Sequence, residues 1–323
     1  MWILAFFGYL SQVNGDVIVN LANGQVRGIQ SVTDTCNTDV CSTEHPYYAF
    51  KGMRYAQPPE RFKRSVAVKP WTGIYDATSD GASCIQVPRS NLKESEDCLF
   101  INVYTPTLPS DSNISLAVMV WIYGGTFIFG DSNYATYGPD HFLLENVIIV
   151  SLNYRLGLFG FMSTGNDLLP GNDGIKDLVL GLQWIKENIH AFNGDPNNIL
   201  LFGESAGAAL ISYLIQSPLT RNLGLEKVAH GGELNYFWKN SFTTSTKFSS
   251  NDLLTRRRLI RLWTNFAKYG NPTPVLDTIL QNITWPTASL GRTNINCDPS
   301  HTKTDTKGRW FNSEKPTKNC GSC

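Results

Sequence analysis

This sequence has almost no net charge to offer a partner. Its 27 Lys and Arg residues balance 27 Asp and Glu. A chain so balanced makes no strong field of one sign, so neither nucleic acid nor a charged membrane surface is implied as a partner. Long apolar runs are missing too. Trp2–Leu10 is too short to span a bilayer and lies at the extreme N-terminus. With Val13 and Gly15 before Asp16, residues 1–15 read as a cleaved secretory signal, although Lys and Arg are absent from its start. The other reading of that stretch is a first core strand. No metal-ligand spacing, phosphate loop or internal repeat occurs, so no metal and no cofactor is expected. From about Gly291 the chain turns polar and Lys-rich without periodicity, which reads as a disordered or out-of-frame tail over 291–323. At 323 residues, one large α/β domain fits the length, and no oligomeric state is read from it.

What is present is concentrated in a few motifs. The most informative is Phe202-Gly203-Glu204-Ser205-Ala206-Gly207. An apolar run, Ile199-Leu200-Leu201-Phe202, predicts a strand before it, and Ala206 to Gln216 predicts a helix after it. Ser205 then stands at the apex of a tight strand-to-helix turn. Glycines flank it because a side chain there would strike the adjoining elements. Its hydroxyl is raised above the sheet, with a helix N-terminus behind it to favour developing negative charge. A bare G-x-S-x-G also describes an ordinary glycine-rich turn; the strand before and the small residues after favour a nucleophile.

A serine needs donors for the oxyanion and a base for its proton. Leu116 to Tyr123 predicts a buried strand that runs into Gly124-Gly125-Thr126-Phe127, a loop suited to present backbone N–H groups, and the N–H of Ala206 adds another. Alone, that glycine pair would read as a simple strand end. Elsewhere Val147 to Asn153 predicts a buried strand. Asp173 to Ile189 predicts an amphipathic helix with Ile175, Leu178, Leu182 and Ile185 at helical spacing. Ser250 to Tyr269 predicts a second, with Leu253, Ile260, Trp263 and Ala267 on one face and Gly270 after its end. Arg256-Arg257-Arg258 on that helix reads as a solvated face.

These residues resemble the type-B carboxylesterases, a family that includes the cholinesterases and the insect juvenile-hormone and odorant-degrading esterases. Glu96-Asp97-Cys98-Leu99-Phe100-Ile101-Asn102-Val103-Tyr104-Thr105-Pro106 resembles one family signature. Phe192-Asn193-Gly194-Asp195-Pro196-Asn197-Asn198, leading to Gly203-Glu204-Ser205-Ala206-Gly207, resembles the other, with Asn193 where Gly or Arg is usual. Asn153-Tyr154-Arg155-Leu156-Gly157, Pro170-Gly171-Asn172-Asp173-Gly174, Trp263-Thr264-Asn265-Phe266-Ala267-Lys268 and Gly270-Asn271-Pro272-Thr273-Pro274 also match. The resemblance runs from about Asp16 to Pro286. It implies an α/β-hydrolase fold over 16–290, with a mostly parallel central sheet and helices on both faces, incomplete in its later strands. The family's own first strand begins near Val17, which leaves 1–15 as the signal.

Residue by residue, the resemblance makes Ser205 the nucleophile, His230 the general base, and the N–H groups of Gly125, Thr126 and Ala206 the oxyanion hole. Without the resemblance His230 would read as a surface or capping histidine. Thr126 replaces the usual glycine or alanine, which narrows the acyl site or twists the loop. Cys84 and Cys98 match a family disulfide, and cysteine usage fits an oxidising compartment and secretion. Cys36 and Cys41 either pair locally or stay free, and Cys297, Cys320 and Cys323 have no family counterpart. Asn113-Ile114-Ser115 and Asn282-Ile283-Thr284 are glycosylation sequons.

One departure dominates. Only 24 residues lie between Ser205 and His230, where the family places a long block carrying further strands, helices and the acidic triad member. Glu226, the sole carboxylate between Ala206 and Ala229, matches no family acid and reads as a solvated charge. The match breaks near Asn222 to Gly224 and resumes near Lys227, as if an internal block were lost. Reach is still allowed. A helix over Ala206–Gln216 climbs ~16 Å, and the residues from 217 to 229 return up to ~43 Å when extended. A lost acid is worth about 10⁴ in turnover in serine proteases, and lost layers bare the faces of a parallel sheet. The expected function is hydrolysis of small or lipophilic carboxylic esters through an acyl-enzyme. The rival readings are a non-catalytic, cholinesterase-like adhesion or ligand-binding protein and an inactive fragment.

Overall fold

A computed structural model describes residues 16–34, 45–87, 93–109, 114–217, 219–220, 238 and 250–285, and the backbone of 302–304 and 310–312. The chain divides into two units, 1–285 and 286–323. The second contains a two-stranded antiparallel ladder between Thr302–Thr304 and Trp310–Asn312. The first holds the fold that matters for chemistry.

Its strands are β1 (Asp16–Leu21), β2 (Gly24–Val32), β3 (Pro46–Arg54), β4 (Ile74–Asp76), β5 (Ser83–Cys84), β6 (Glu94–Ser95), β7 (Phe100–Thr105), β8 (Leu116–Ile122), β9 (Ile148–Leu152) and β10 (Gly194–Gly203). The main sheet has the order β1-β2-β3-β7-β9-β8-β10, with β4 beside β2. Strands β9, β8 and β10 run parallel, whereas β1, β2, β3, β7 and β9 alternate antiparallel. The sheet is therefore mixed. Parallel order needs crossover connections, and β1 is joined to β2 by Ala22 and Asn23 alone, which forces a hairpin. Among the described residues β10 ends the sheet.

The helices are α1 (Tyr134–Tyr137), α2 (Asp140–Leu143), α3 (Gly157–Phe161), α4 (Asp173–Asn188), α5 (Ala206–Gln216) and α6 (Ser250–Tyr269). The predicted bounds of α5 and α6 agree with the structure, and α4 ends one residue earlier than expected. Helices cover both faces of the sheet, as two neighbouring residues of β10 demonstrate. Phe202 meets Trp263 of α6, with ring centroids 6.1 Å apart. Gly203, pointing the other way, lies against Ile211 of α5.

On α6 the buried face runs through Arg256, Ile260, Thr264 and Ala267. The arginine cluster expected to be solvated is thus split. Arg257 is exposed, Arg256 is buried, and Arg258 Nε donates to the Ile279 carbonyl at 2.8 Å. The physical reason is the helical period: residues four apart share a face, so Arg256 follows Ile260 inward. Strand β10 also starts five residues before its apolar run. Its first residue, Gly194, pairs with Leu116, and the register then shifts before Ile199. Asn193, just ahead, adopts φ 68°, a left-handed conformation that asparagine tolerates, and its amide donates to Thr107 Oγ1 and the Leu108 carbonyl.

Candidate active site

The parallel strands β8, β9 and β10 end together, and the loops leaving them converge on one corner of the sheet. Ligands in α/β sheets bind outside the carboxyl ends of such strands. Ser205 sits here, between β10 and α5, at φ 51° and ψ −119°. A non-glycine residue in this region of backbone space carries strain of about 1–3 kcal/mol, and the strain persists because the surroundings fix it. A methyl group on Gly203 would lie 2.4 Å from the Ile122 carbonyl oxygen, and one on Gly207 only 2.0 Å from the same atom. The helix can follow the strand this closely only with glycine on both sides of the serine.

The loop after β8 is built with equal economy. A methyl group on Gly124 would come within 3.0 Å of Ser205 Cβ and 2.5 Å of the Glu204 carbonyl oxygen, so this loop rests directly on the serine turn. Gly125 has φ 100°, and its carbonyl accepts from Ile128 N at 3.0 Å and Phe129 N at 3.1 Å. Thr126 and Phe127 follow at φ 52° and 63°, two consecutive left-handed residues that are not glycine. For a β-branched threonine that conformation is a genuine outlier. Thr126 is exposed and so stands at the open side of the loop. Among the described residues the backbone N–H groups of Gly125, Thr126 and Ala206 donate to no protein acceptor. Ala206 opens α5, where a first-turn N–H has no carbonyl partner within the helix.

Two braces hold this loop. Cys84 and Cys98 are joined by a disulfide. Two residues past Cys84, the Gln86 amide donates to the Gly130 carbonyl at 3.1 Å and accepts from Gly130 N at 2.9 Å. Beside Cys98, Asp97 pairs with Arg54 and Glu96 with Arg61. On the other side Gly157 N donates to the Phe127 carbonyl at 2.7 Å.

The segment from Asn153 to Gly157 accounts for the rest of the scaffold. Asn153 Oδ1 accepts from Ser132 N at 2.9 Å, and its amide donates to the Ala82 carbonyl at 3.0 Å. Tyr154 OH donates to the Tyr123 carbonyl at 2.8 Å, and Tyr123 OH to the Tyr154 carbonyl at 3.2 Å. Burial pushes both phenols well above their ordinary range, so they stay neutral hydrogen-bonding groups; the charges of Tyr137 and Glu204 add to the effect on Tyr154. Arg155 forks onto Asp177 with two 2.8 Å bonds, both side chains buried, and also donates to the Lys63 carbonyl. The second arginine donor pair and the carbonyl satisfy a charge that burial would otherwise penalise.

The structure thus brings Ser205, Ala206, Gly125 and Thr126 to one corner. His230 and Asn113 lie outside the described residues. Asn282 is exposed, at φ 55°. Two contributors escaped the sequence reading. Gln86 was not singled out, although its place beside Cys84 was the available signal. Glu204 was seen only as the variable residue of the motif, yet one point near Gly124 lies 2.4 Å from its Oε2 and 3.0 Å from Ser205 Cβ. Its carboxylate is therefore a neighbour of Ser205. Among the described residues no cluster of His, Cys, Asp and Glu could hold a metal ion, and no helix is long and apolar enough to cross a membrane.

Esterase FE4 of Myzus persicae is 41% identical over 210 residues, covering 62% of this chain and 37% of its own length. Acetylcholinesterase of Danio rerio is 35% identical over 294 residues, 85% of this chain and 43% of its own. Juvenile hormone esterase of Tribolium castaneum is 38% identical over 199 residues, 59% of this chain and 34% of its own. The chain spans less than half the length of each of these relatives. The profile of the carboxylesterase family matches in two stretches, residues 15–226 and 224–310, which meet where the spacing between Ser205 and His230 is short. Those stretches take in most of the sequence, including every part of the corner described above, and this chain belongs to the carboxylesterase family.

Proposed function

We propose that this chain is a serine carboxylic ester hydrolase. Ser205 attacks the ester carbonyl while His230 takes its proton. The N–H groups of Gly125, Thr126 and Ala206 hold the oxyanion, and water then releases the acyl-enzyme. The substrate is a small or lipophilic carboxylic ester. The observation that carries this reading is the backbone of Ser205, strained at φ 51° between β10 and α5 and locked by glycines against Ile122. An ordinary turn has no reason to keep that conformation. The same reading makes residues 1–15 a cleaved signal, 16–290 the hydrolase domain with a block missing near 222–227, and 291–323 a tail. It also makes the protein secreted, with glycans on Asn113 and Asn282; the Cys84–Cys98 disulfide supports an oxidising compartment.

A second reading has its own support. The short interval before His230 contains no carboxylate other than Glu226, and the family match joins at 224–226. A chain without the acid would be a silent, ligand-binding relative or an inactive fragment. Labelling of purified secreted protein with a fluorophosphonate serine probe, beside Ser205→Ala, separates the three. Label on wild type alone supports the esterase. Folded protein that takes no label supports the silent relative, and failure to obtain folded protein supports the fragment.

A further inference from the structure

The loop from Pro58 to Ser65 carries Arg61-Phe62-Lys63-Arg64. Nowhere else in the sequence do basic residues stand first, second and fourth before one peptide bond, here the bond to Ser65. All three cations are exposed. Arg61 pairs with Glu96 and Lys63 with Glu60, surface pairs that cost little to break. Among the described residues Arg64 has neither an ion pair nor a hydrogen bond. The base of the loop is tied together: Gln57 N donates to the Val66 carbonyl at 2.9 Å, and Val68 N to the Tyr55 carbonyl at 3.3 Å.

An extended peptide is read as an added strand, and in an antiparallel pair only alternate residues exchange hydrogen bonds with the partner. Before the Arg64–Ser65 bond those residues are Arg64 and Phe62. Among the described residues neither has its N–H or carbonyl in a hydrogen bond. Lys63, between them, turns its backbone groups the other way in such a strand, and its carbonyl already accepts from Arg155 Nη1 at 2.8 Å. Extension also relieves Phe62, whose φ of 60° is an outlier for a bulky residue. Ser65 Oγ is buried without a partner and regains hydrogen bonds in water. One contact resists: Phe62 stacks on Phe159, ring centroids 6.1 Å apart. Arg256-Arg257-Arg258 supplies the contrast. It also holds adjacent basic residues, but inside α6, where backbone groups are committed along the helix and Arg256 is buried.

We infer that Arg64–Ser65 is a processing site for an endoprotease whose acidic subsites select paired basic residues, with the Phe62–Phe159 stack setting the rate. Water adds across the amide, leaving a carboxylate on Arg64 and an ammonium group on Ser65. The cut chain stays together, because β3 before the cut pairs with β7 after it, and β2 with β4. The test treats the purified full chain with an endoprotease specific for Lys-Arg pairs. One new N-terminus, at Ser65, is expected, with two fragments on a reducing denaturing gel and an unchanged elution volume on size exclusion. Arg64→Gln leaves an acidic subsite unpaired and should slow the cut by about tenfold or more. Phe159→Leu removes the stack and should quicken it about twofold to tenfold. Chain unfolded in urea should be cut at Arg256–Arg258 as well, which the native helix prevents. A native chain that stays whole while the unfolded one is cut at Ser65 overturns the inference. So does native cutting at Arg256–Arg258 as fast as at Ser65, or a rate unchanged in Phe159→Leu.

Discussion

The two halves of the sheet obey different rules. In the antiparallel half, β1 and β2 alternate buried and partly exposed residues, so one face stays near water. In the parallel half, all of β9 and all but the first residue of β8 are buried, as a sheet layered on both faces requires. Strain is distributed in the same way. The strained Ser205 and the left-handed pair Thr126 and Phe127 stand where β8 and β10 end. The antiparallel half is a scaffold, whereas the parallel half holds a corner in a conformation it would not choose alone.

That contrast can be broken most severely at Arg155. Replacing it by methionine leaves Asp177 buried and unpaired, at a cost of about 3–5 kcal/mol. Urea unfolding should show that loss, and a change below 1 kcal/mol would mean that the pair does not hold the loop after β9. Two matched glycines sharpen the comparison. A methyl on Gly207 meets the Ile122 carbonyl at 2.0 Å, and one on Gly28 in β2 meets Phe50 at 2.5 Å and the Ala49 carbonyl at 2.6 Å. Both Gly→Ala changes overpack, at about 1–3 kcal/mol each. Only Gly207→Ala should abolish fluorophosphonate labelling of the protein that remains folded; equal labelling of the two variants would remove the distinction between scaffold and corner.

A smaller effect is expected at Thr126. Glycine there relieves a left-handed threonine but loosens the unfolded chain, for a net gain of up to about 1 kcal/mol. Labelling should persist, because the donor is a backbone N–H; a tenfold loss would assign the threonine side chain a role in catalysis. The least effect belongs to Arg27, which pairs with Asp16 and Asp76 across the exposed edge of the antiparallel half. Arg27→Gln should leave the melting temperature and the labelling rate unchanged, since exposed ion pairs contribute little. A measurable drop in either would show that these exposed pairs hold more of the scaffold than their exposure suggests.

How far the sequence announced all this follows the same division. The runs Leu116 to Tyr123 and Val147 to Asn153, buried on both faces, were visible as unbroken apolar stretches, and α5 and α6 were visible from their spacing and ends. The glycines beside Ser205 were legible because a tight strand-to-helix turn demands them. Strands β2 and β3 were not, since their pattern of half-burial follows from pairing partners distant in sequence. The first half of β10, Gly194 to Asn198, is polar and is drawn into the sheet by Leu116. At the site, the placing of Ser205 on a strand-to-helix turn, beside the loop after β8, was legible from motif and resemblance. Gln86 and Glu204 act through neighbours that only the fold supplies, and no local pattern marks them.

Trp238 has a consequence of a different kind. It is buried completely, its ring 4.9 Å from that of Trp121 and stacked nearly parallel on Phe202, with Phe142 tilted against it and Tyr137 in a T-shaped contact. Trp121 and Phe202 precede the point where the two family stretches meet, and Trp238 follows it. Indoles held this close couple optically and give strong near-ultraviolet circular dichroism, a signal that fixed side-chain packing produces and that vanishes when packing loosens. The chain therefore carries its own chromophore across the seam, and its spectrum reports whether the two stretches have folded together.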